Sequence, residues 1–171
     1  IKTEPYNHNV GTCYRCGTTV EPMTSPQWFV KMKPLAEPAI EAVRDGRIKF
    51  VPERFSKTYY NWMENVHDWC ISRQRRWGLP IPVVYCDNCH KPVCNEESID
   101  AVAKLFEKEG SNAWFDRPAA DILPEGFTCP HCGKNTGFTK EEDTLDGWFD
   151  SGSTHFASMK KDQGFWPATM Y

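Results

Sequence analysis

Six of the eight cysteines fall into three C-x-x-C pairs, Cys13/Cys16, Cys86/Cys89 and Cys129/Cys132, and this constrains the fold more than any other feature of the chain. A C-x-x-C turn aims two thiolates at one centre, and two such turns complete a tetrahedral S4 site for Zn2+. Three pairs therefore make one full site and half of another. Cys86, Cys89, Cys129 and Cys132 are the better match, because each pair sits in a knuckle-like turn, with Gly133 placed where a positive φ lets backbone N–H groups face sulfur. The competing reading is a pair of disulfides or buried thiols, and the lack of a secretion signal disfavours the first. His90 and His131 adjoin ligand cysteines and are expected to face solvent. Cys13-Tyr14-Arg15-Cys16-Gly17 has the same form without a fourth pair, so either its partner lies outside the chain, the favoured reading, or it is a structural turn. Cys70, in Asp68-Trp69-Cys70-Ile71, reads as a buried free thiol, while Cys94 is close enough to the Cys86 knuckle to compete as a ligand.

Around these turns the pattern alternates short extended and helical pieces. Gln27 to Val30 reads as a strand core. Pro34 opens a helix carrying Leu35, Ala39, Ile40 and Val43, which Gly46 stops. Ile48 to Val51 alternates as a short strand ended by Pro52, and Ser56 caps a helix to about Val66 with Tyr59, Met63 and Val66 on one face. Asn95 or Ser98 caps a further helix with Ile99, Val102, Ala103 and Phe106 as its apolar stripe and Gly110 as its end. A shorter helix is expected from Trp114 to Leu123. Residues 80–142 thus look like an insertion pinned by metal at its neck, too small to bury much of its own surface.

The 171 residues carry a formal charge of −3, which excludes a polycation that coats nucleic acid, so any RNA contact must be local. No apolar run approaches the roughly 18 residues needed to cross a bilayer. No membrane partner is expected, and the chain reads as soluble and cytoplasmic. It opens on Ile1 and ends on Met170-Tyr171 without a polar tail, as a piece of something longer would.

Two stretches carry candidate chemistry. Asp68 to Gly78 sets Arg73, Arg75 and Arg76 among Trp69 and Trp77, and cations beside flat aromatic faces suit phosphates and stacked bases. Asp143 to His155 reads as a loop at a strand end with Trp148 buried beside it; Ser153 and His155 have no evident orienting partner for a nucleophile role. At these stretches the chain resembles class I aminoacyl-tRNA synthetases of the valine/isoleucine branch. Trp69-Cys70-Ile71-Ser72-Arg73-Gln74 is a signature of both enzymes; residues 11–68 look valyl-like, whereas Arg75 to Pro82, the zinc-bearing insertion and Asp146 to Ser153 look isoleucyl-like, with Gly147 where that family commonly has valine.

The resemblance implies an α/β fold: part of a Rossmann-type catalytic domain with an inserted small zinc-binding α+β module. Residues 1–33 would be the return from the editing insertion with the half-site Cys13 and Cys16, 34–79 the segment bearing the shared signature, 80–142 the zinc-binding connective insertion, and 143–171 the start of the second catalytic half. It implies structural Zn2+ on Cys86, Cys89, Cys129 and Cys132, substrate contacts from Trp148, Asp150 and Ser151 with Trp148 walling the pocket for a branched aliphatic side chain, and tRNA contacts from Arg73, Arg75 and Arg76. Partners would be tRNA, the amino acid (isoleucine ahead of valine) and ATP in a monomeric enzyme. The family's ATP-handling signatures, His-Ile-Gly-His and Lys-Met-Ser-Lys-Ser, are absent from these residues, so no catalytic residue is assigned and the chain alone is expected not to form adenylate. The rival reading is a stand-alone zinc ribbon binding nucleic acid through the same arginines.

Overall fold

A computed structural model describes residues 2–135, 137–158, 164 and 166. The thirteen helices and strands among the described residues are short, and the chain is mixed α and β. The strand β1 (Phe29–Val30) pairs antiparallel with β2 (Trp69–Cys70), and the two-helix unit between them consists of α1 (Lys33–Arg44) packed on α2 (Phe55–Glu64). Pro34 lies in the first turn of α1 as expected, but the face turned inward is Ala36, Ile40 and Ala42, and Leu35 is exposed. The strand expected at Ile48 to Val51 does not form. Among the described residues nothing pairs with it; the Ile48 N–H instead donates back to Ala42 O at 2.8 Å and closes the end of α1. Ser56 does not cap α2 either, because Arg54 holds that position and the Ser56 hydroxyl donates to Glu53 O at 2.7 Å.

The second unit has a core of its own. The strand β4 (Val84–Cys86) lies between β5 (Pro92–Val93) and β6 (Phe138–Lys140), both antiparallel to it, with Val84 opposite Val93 and Lys140, and Cys86 opposite Phe138. Helix α3 (Glu96–Glu109) starts on a reciprocal cap: Asn95 Oδ1 accepts from Ser98 N–H at 2.9 Å, and Ser98 Oγ accepts from Asn95 N–H at 3.1 Å. Val102 is buried and Leu105 and Phe106 pack behind it, whereas Ala103 is exposed. The helix expected from Trp114 to Leu123 is two single turns, α4 (Ala113–Asp116) and α5 (Ala119–Ile122), because Pro118 cannot donate a helical hydrogen bond. Val84, Cys86, Val93, Val102, Trp114, Ile122, Phe127 and Cys129 make one contiguous cluster, so the metal-type cysteines belong to the core of this unit.

The neck joins the two. The strand β3 (Ser72–Arg73) pairs antiparallel with β7 (Thr144–Leu145), and on the other side of β7 the backbone of residues 79–81 runs alongside, with Leu145 N–H donating to Leu79 O and Ile81 N–H to Asp143 O. Residues 74–78 arch between these flanks and leave Arg75, Arg76 and Trp77 exposed at the tip. Gly78 closes the arch at φ +155°, and a Cβ there would stand 2.9 Å from Thr144 Cβ. Asp143 to His155 is not a loop: α6 (Gly147–Ala157) begins directly after β7. Every strand pairing among the described residues is antiparallel.

Candidate metal centre and pocket segment

Cys86 ends β4 and Cys89 follows in its turn, while Cys129 and Cys132 hang from the segment before β6. Their four sulfurs lie within 4.8 Å of one another, with Cys86 Sγ and Cys89 Sγ each 3.7 Å from its counterpart, Cys132 Sγ and Cys129 Sγ respectively. A tetrahedron of thiolates around an ion at 2.3 Å has edges of about 3.8 Å. The spacing is far too long for disulfides, and all eight cysteines are free. The donor set and its size therefore fit a tetrahedral metal ion. The backbone is shaped for it in both turns: His90 N–H donates to Cys86 O and Gly133 N–H to Cys129 O, each at 2.7 Å, and the residue after the second cysteine is left-handed in each, at φ 56° for His90 and 70° for Gly133. His131 N–H and the Asn88 amide donate to the sulfurs of Cys129 and Cys132, at 3.4 and 3.6 Å. A backbone hydrogen bond at Lys134 helps bring the Cys132 thiol down to about 7. For Cys89 the corresponding bond at Lys91 is outweighed by burial and three neighbouring thiols, which push it up to about 11. Four thiols sharing one centre resist ionising together unless a cation joins them.

His90 and His131 stay outside the cluster, both exposed, and His131 Nε2 lies 3.0 Å from Pro92 O. Cys94 is exposed and is not one of the four; Cys70 is half-buried, 3.8 Å from Gln27 Oε1. The first knuckle repeats the same backbone pattern, with Gly17 N–H on Cys13 O at 2.8 Å and Gly17 at φ +72°, and the Thr18 hydroxyl beside Cys16 lowers its thiol to about 7. Among the described residues no third ligand joins Cys13 and Cys16.

The pocket residues expected from the sequence all lie on the first turns of α6. Asp146 caps that helix, its Oδ1 accepting from Trp148 N–H at 2.7 Å. Trp148 is 77% exposed, contrary to the expectation of burial, because nothing among the described residues covers the face that the cap turns outward. Ser151 is exposed; Asp150 is half-buried with its Oδ1 enclosed and unpartnered, and burial, aided by the charge of Asp146, raises its carboxyl. Phe149 stacks obliquely on Trp69, ring centres 6.1 Å apart, which ties α6 to β2.

The three arginines separate. Arg73 is held: its guanidinium pairs with the nearly buried Asp146 and donates to Cys70 O at 2.9 Å and Ser72 O at 2.8 Å. Arg75 and Arg76 remain exposed along a groove of about 850 Å3 that also includes Gln74, Trp114, Lys140 and the acidic run Glu141 to Asp143. Its charges are mixed, so it is not a basic channel. Two residues that motif reading passed over organise the neck. Gln27 Oε1 accepts from the Ser72 hydroxyl at 2.7 Å and from Gln74 Nε2 at 3.1 Å, and Glu141, which in sequence is one member of an acidic run, takes hydrogen bonds from three separate segments.

Residues 5–171 match the family of class I tRNA synthetases (I, L, M and V). The chain belongs to that family. Among curated relatives of this class I synthetase chain, the isoleucine–tRNA ligase of Caldicellulosiruptor saccharolyticus is 46% identical over 172 residues, covering 100% of the chain and 18% of the relative. Those of Desulforamulus reducens and Carboxydothermus hydrogenoformans are each 42% identical, covering 94% and 96% of the chain and 17% and 18% of the relatives. The chain thus spans less than a fifth of the length of these relatives. The alignment to these isoleucine enzymes includes residues 11–68, the stretch expected to be valyl-like. No helix among the described residues is long and apolar enough to cross a membrane.

Proposed function

We propose that this synthetase chain is the part of an isoleucine–tRNA ligase that carries a structural zinc module and one wall of the amino-acid pocket. The observation behind this reading is the 46% identity to an isoleucine–tRNA ligase over the whole chain. In it, residues 80–142 form the connective insertion, residues 143–171 begin the second half of a Rossmann-type catalytic domain, and residues 1–33 and 34–79 lead into them. Cys86, Cys89, Cys129 and Cys132 hold Zn2+, which supplies a cross-link and no open coordination position, so its contribution is to the fold. Cys13 and Cys16 supply half of a second site.

Trp148 offers its indole face to the branched side chain, with Asp150 and Ser151 bordering it. Burying such a side chain against a flat ring is worth about 1.5–3 kcal/mol, while a single methylene distinguishes isoleucine from valine by only about 1–3 kcal/mol. One wall therefore selects weakly. Arg75 and Arg76 are the free cations for tRNA phosphates, and Arg73 instead holds the cap of α6. ATP binds elsewhere in the enzyme, through signatures these residues lack. The test is ATP–pyrophosphate exchange: the full-length ligase with Trp148→Ala should show a KM for isoleucine raised by about 10-fold or more, and the 171-residue chain should show no exchange with isoleucine or valine. An unchanged KM, or exchange by the chain alone, overturns the reading.

A further inference from the structure

Between the metal-type module and α6 the chain crosses from Lys140 to Trp148, and nearly every residue on that path is anchored. Glu141 is the first and the most heavily bonded anchor. Its Oε2 accepts from the Trp28 indole N–H at 2.8 Å and from the Tyr85 hydroxyl at 2.5 Å; its Oε1 accepts from the backbone N–H of Glu142 at 2.8 Å and of Asp143 at 3.1 Å. Its backbone N–H donates to Val83 O at 2.9 Å, and its carbonyl accepts from the Trp114 indole at 3.2 Å. One carboxylate therefore ties together the segment entering β1, the strand that ends in Cys86, and the backbone leading to the pocket helix.

The other anchors continue from it. Asp143 accepts from Gln74 Nε2 at 2.9 Å, Thr144 donates to Arg73 O at 3.1 Å, Asp146 N–H donates to Ile71 O at 2.8 Å, and the Asp146 carboxylate holds both Arg73 and the Trp148 N–H. Burial works against a charge on Glu141, but the hydrogen bonds from Tyr85, Trp28 and the two backbone N–H groups outweigh it and hold its carboxyl below the usual carboxylate range. Tyr85, half-buried and bonded to this carboxylate, is correspondingly pushed up to about 12 and stays a donor. A surface acid in an acidic run would show none of this.

We infer that Glu141 is a positioning residue for amino-acid recognition, fixing the register of residues 141–148 so that Trp148 faces the side-chain pocket. This rests on the reading of Trp148 as a pocket wall. Glu141→Gln keeps the shape but replaces one acceptor oxygen with a donor, so either the Trp28 and Tyr85 pair or the two backbone N–H groups lose their partner. Loss of a half-buried acceptor that orders a binding wall should raise the KM for isoleucine by about 5–50-fold. Because the wall meets the amino acid and not the nucleotide, the KM for ATP should stay within about two-fold.

The experiment uses the full-length ligase carrying this segment, with Trp148→Ala, Glu141→Gln and the double variant Trp28→Phe/Tyr85→Phe, which removes both side-chain donors to Glu141 while leaving an aromatic ring at each position. Steady-state exchange gives the KM for isoleucine and for ATP, and the absorption of the Co2+-loaded enzyme reports the cysteine site. The inference expects the isoleucine KM to rise in Glu141→Gln and in the double variant, with the ATP KM and the Co2+ spectrum unchanged. If Glu141→Gln does not fold, the double variant decides. A rise in both KM values alike, or a loss of the Co2+ bands in step with the kinetic change, would mean general loosening and overturn it. If Trp148→Ala raises the isoleucine KM while the Glu141 and donor variants do not, positioning is wrong and the pocket reading stands; if Trp148→Ala has no effect, the pocket reading itself fails.

Discussion

Replacing Cys129 with serine is the sharpest perturbation of the metal-type module. Cys129 is 1% exposed, its sulfur sits 3.7 Å from Cys89 Sγ, and it receives the His131 N–H. A metal held by both knuckles cross-links positions 40 residues apart. Closing a loop of that length in the unfolded chain is worth about 4 kcal/mol by the chain-entropy relation used for disulfides. The interior of the module is small and includes Cys86 and Cys129 themselves, so it has little to offset such a loss. Cys129→Ser should therefore bind no stoichiometric zinc and lose the thiolate-to-metal bands of the Co2+ form. Amide exchange across α3 should quicken roughly a thousand-fold, the equivalent of about 4 kcal/mol of local opening. Cys94→Ser, at an exposed cysteine outside the cluster, should change neither. A Cys129→Ser chain that keeps one equivalent of zinc and normal α3 protection would refute both the ligand assignment and the claim that the metal holds this module together.

Other expectations follow from single contacts. Gly78→Ala should destabilise by about 1–3 kcal/mol in urea titrations, because the new Cβ would overlap Thr144 in a backbone region that side chains rarely adopt. His90→Gly should stabilise by about 0.5–1 kcal/mol in the same assay, since His90 holds a left-handed conformation that glycine adopts without steric strain. The carboxyl of Glu141 lies below its ordinary value of 4.5 in the folded chain, so its stabilisation is complete above about that pH and is lost as pH falls through the lower folded value. Melting temperature should accordingly decline less steeply on acidification below pH 4.5 in Glu141→Gln than in the parent chain; identical acid profiles would refute that.

The clustering of four cysteines was legible in the sequence because knuckle geometry is local: a C-x-x-C turn predisposes two thiols by itself, and only the pairing of turns needs the fold. The caps of α3 and the proline start of α1 were legible for the same reason. The Ile48 to Val51 segment misled because alternation signals a strand only where a partner exists, and here the N–H of Ile48 closes α1 instead. Around Gly152 the small residues suggested a loop, yet Asp146 supplies a cap strong enough to begin α6 at once. Glu141 was invisible, since its donors Trp28 and Tyr85 lie 113 and 56 residues away and nothing in Lys140-Glu141-Glu142-Asp143 marks one acid from the next. Arg73, Arg75 and Arg76 look equivalent in sequence, and only the position of Asp146 separates the one that is structurally engaged from the two that are free.

The pairing of β3 with β7 brings the two ends of the module side by side, one strand spacing apart, which is about 5 Å. A two-residue turn could bridge that distance, so a lineage could shed or exchange the whole module without threading the rest of the chain anew. What such a deletion would forfeit is Glu141, which lies on the module's side of the cut. Modular in topology, this unit is nonetheless tied through the Glu141 carboxylate, as well as through the backbone at Ile81, to the segment that ends at Trp148.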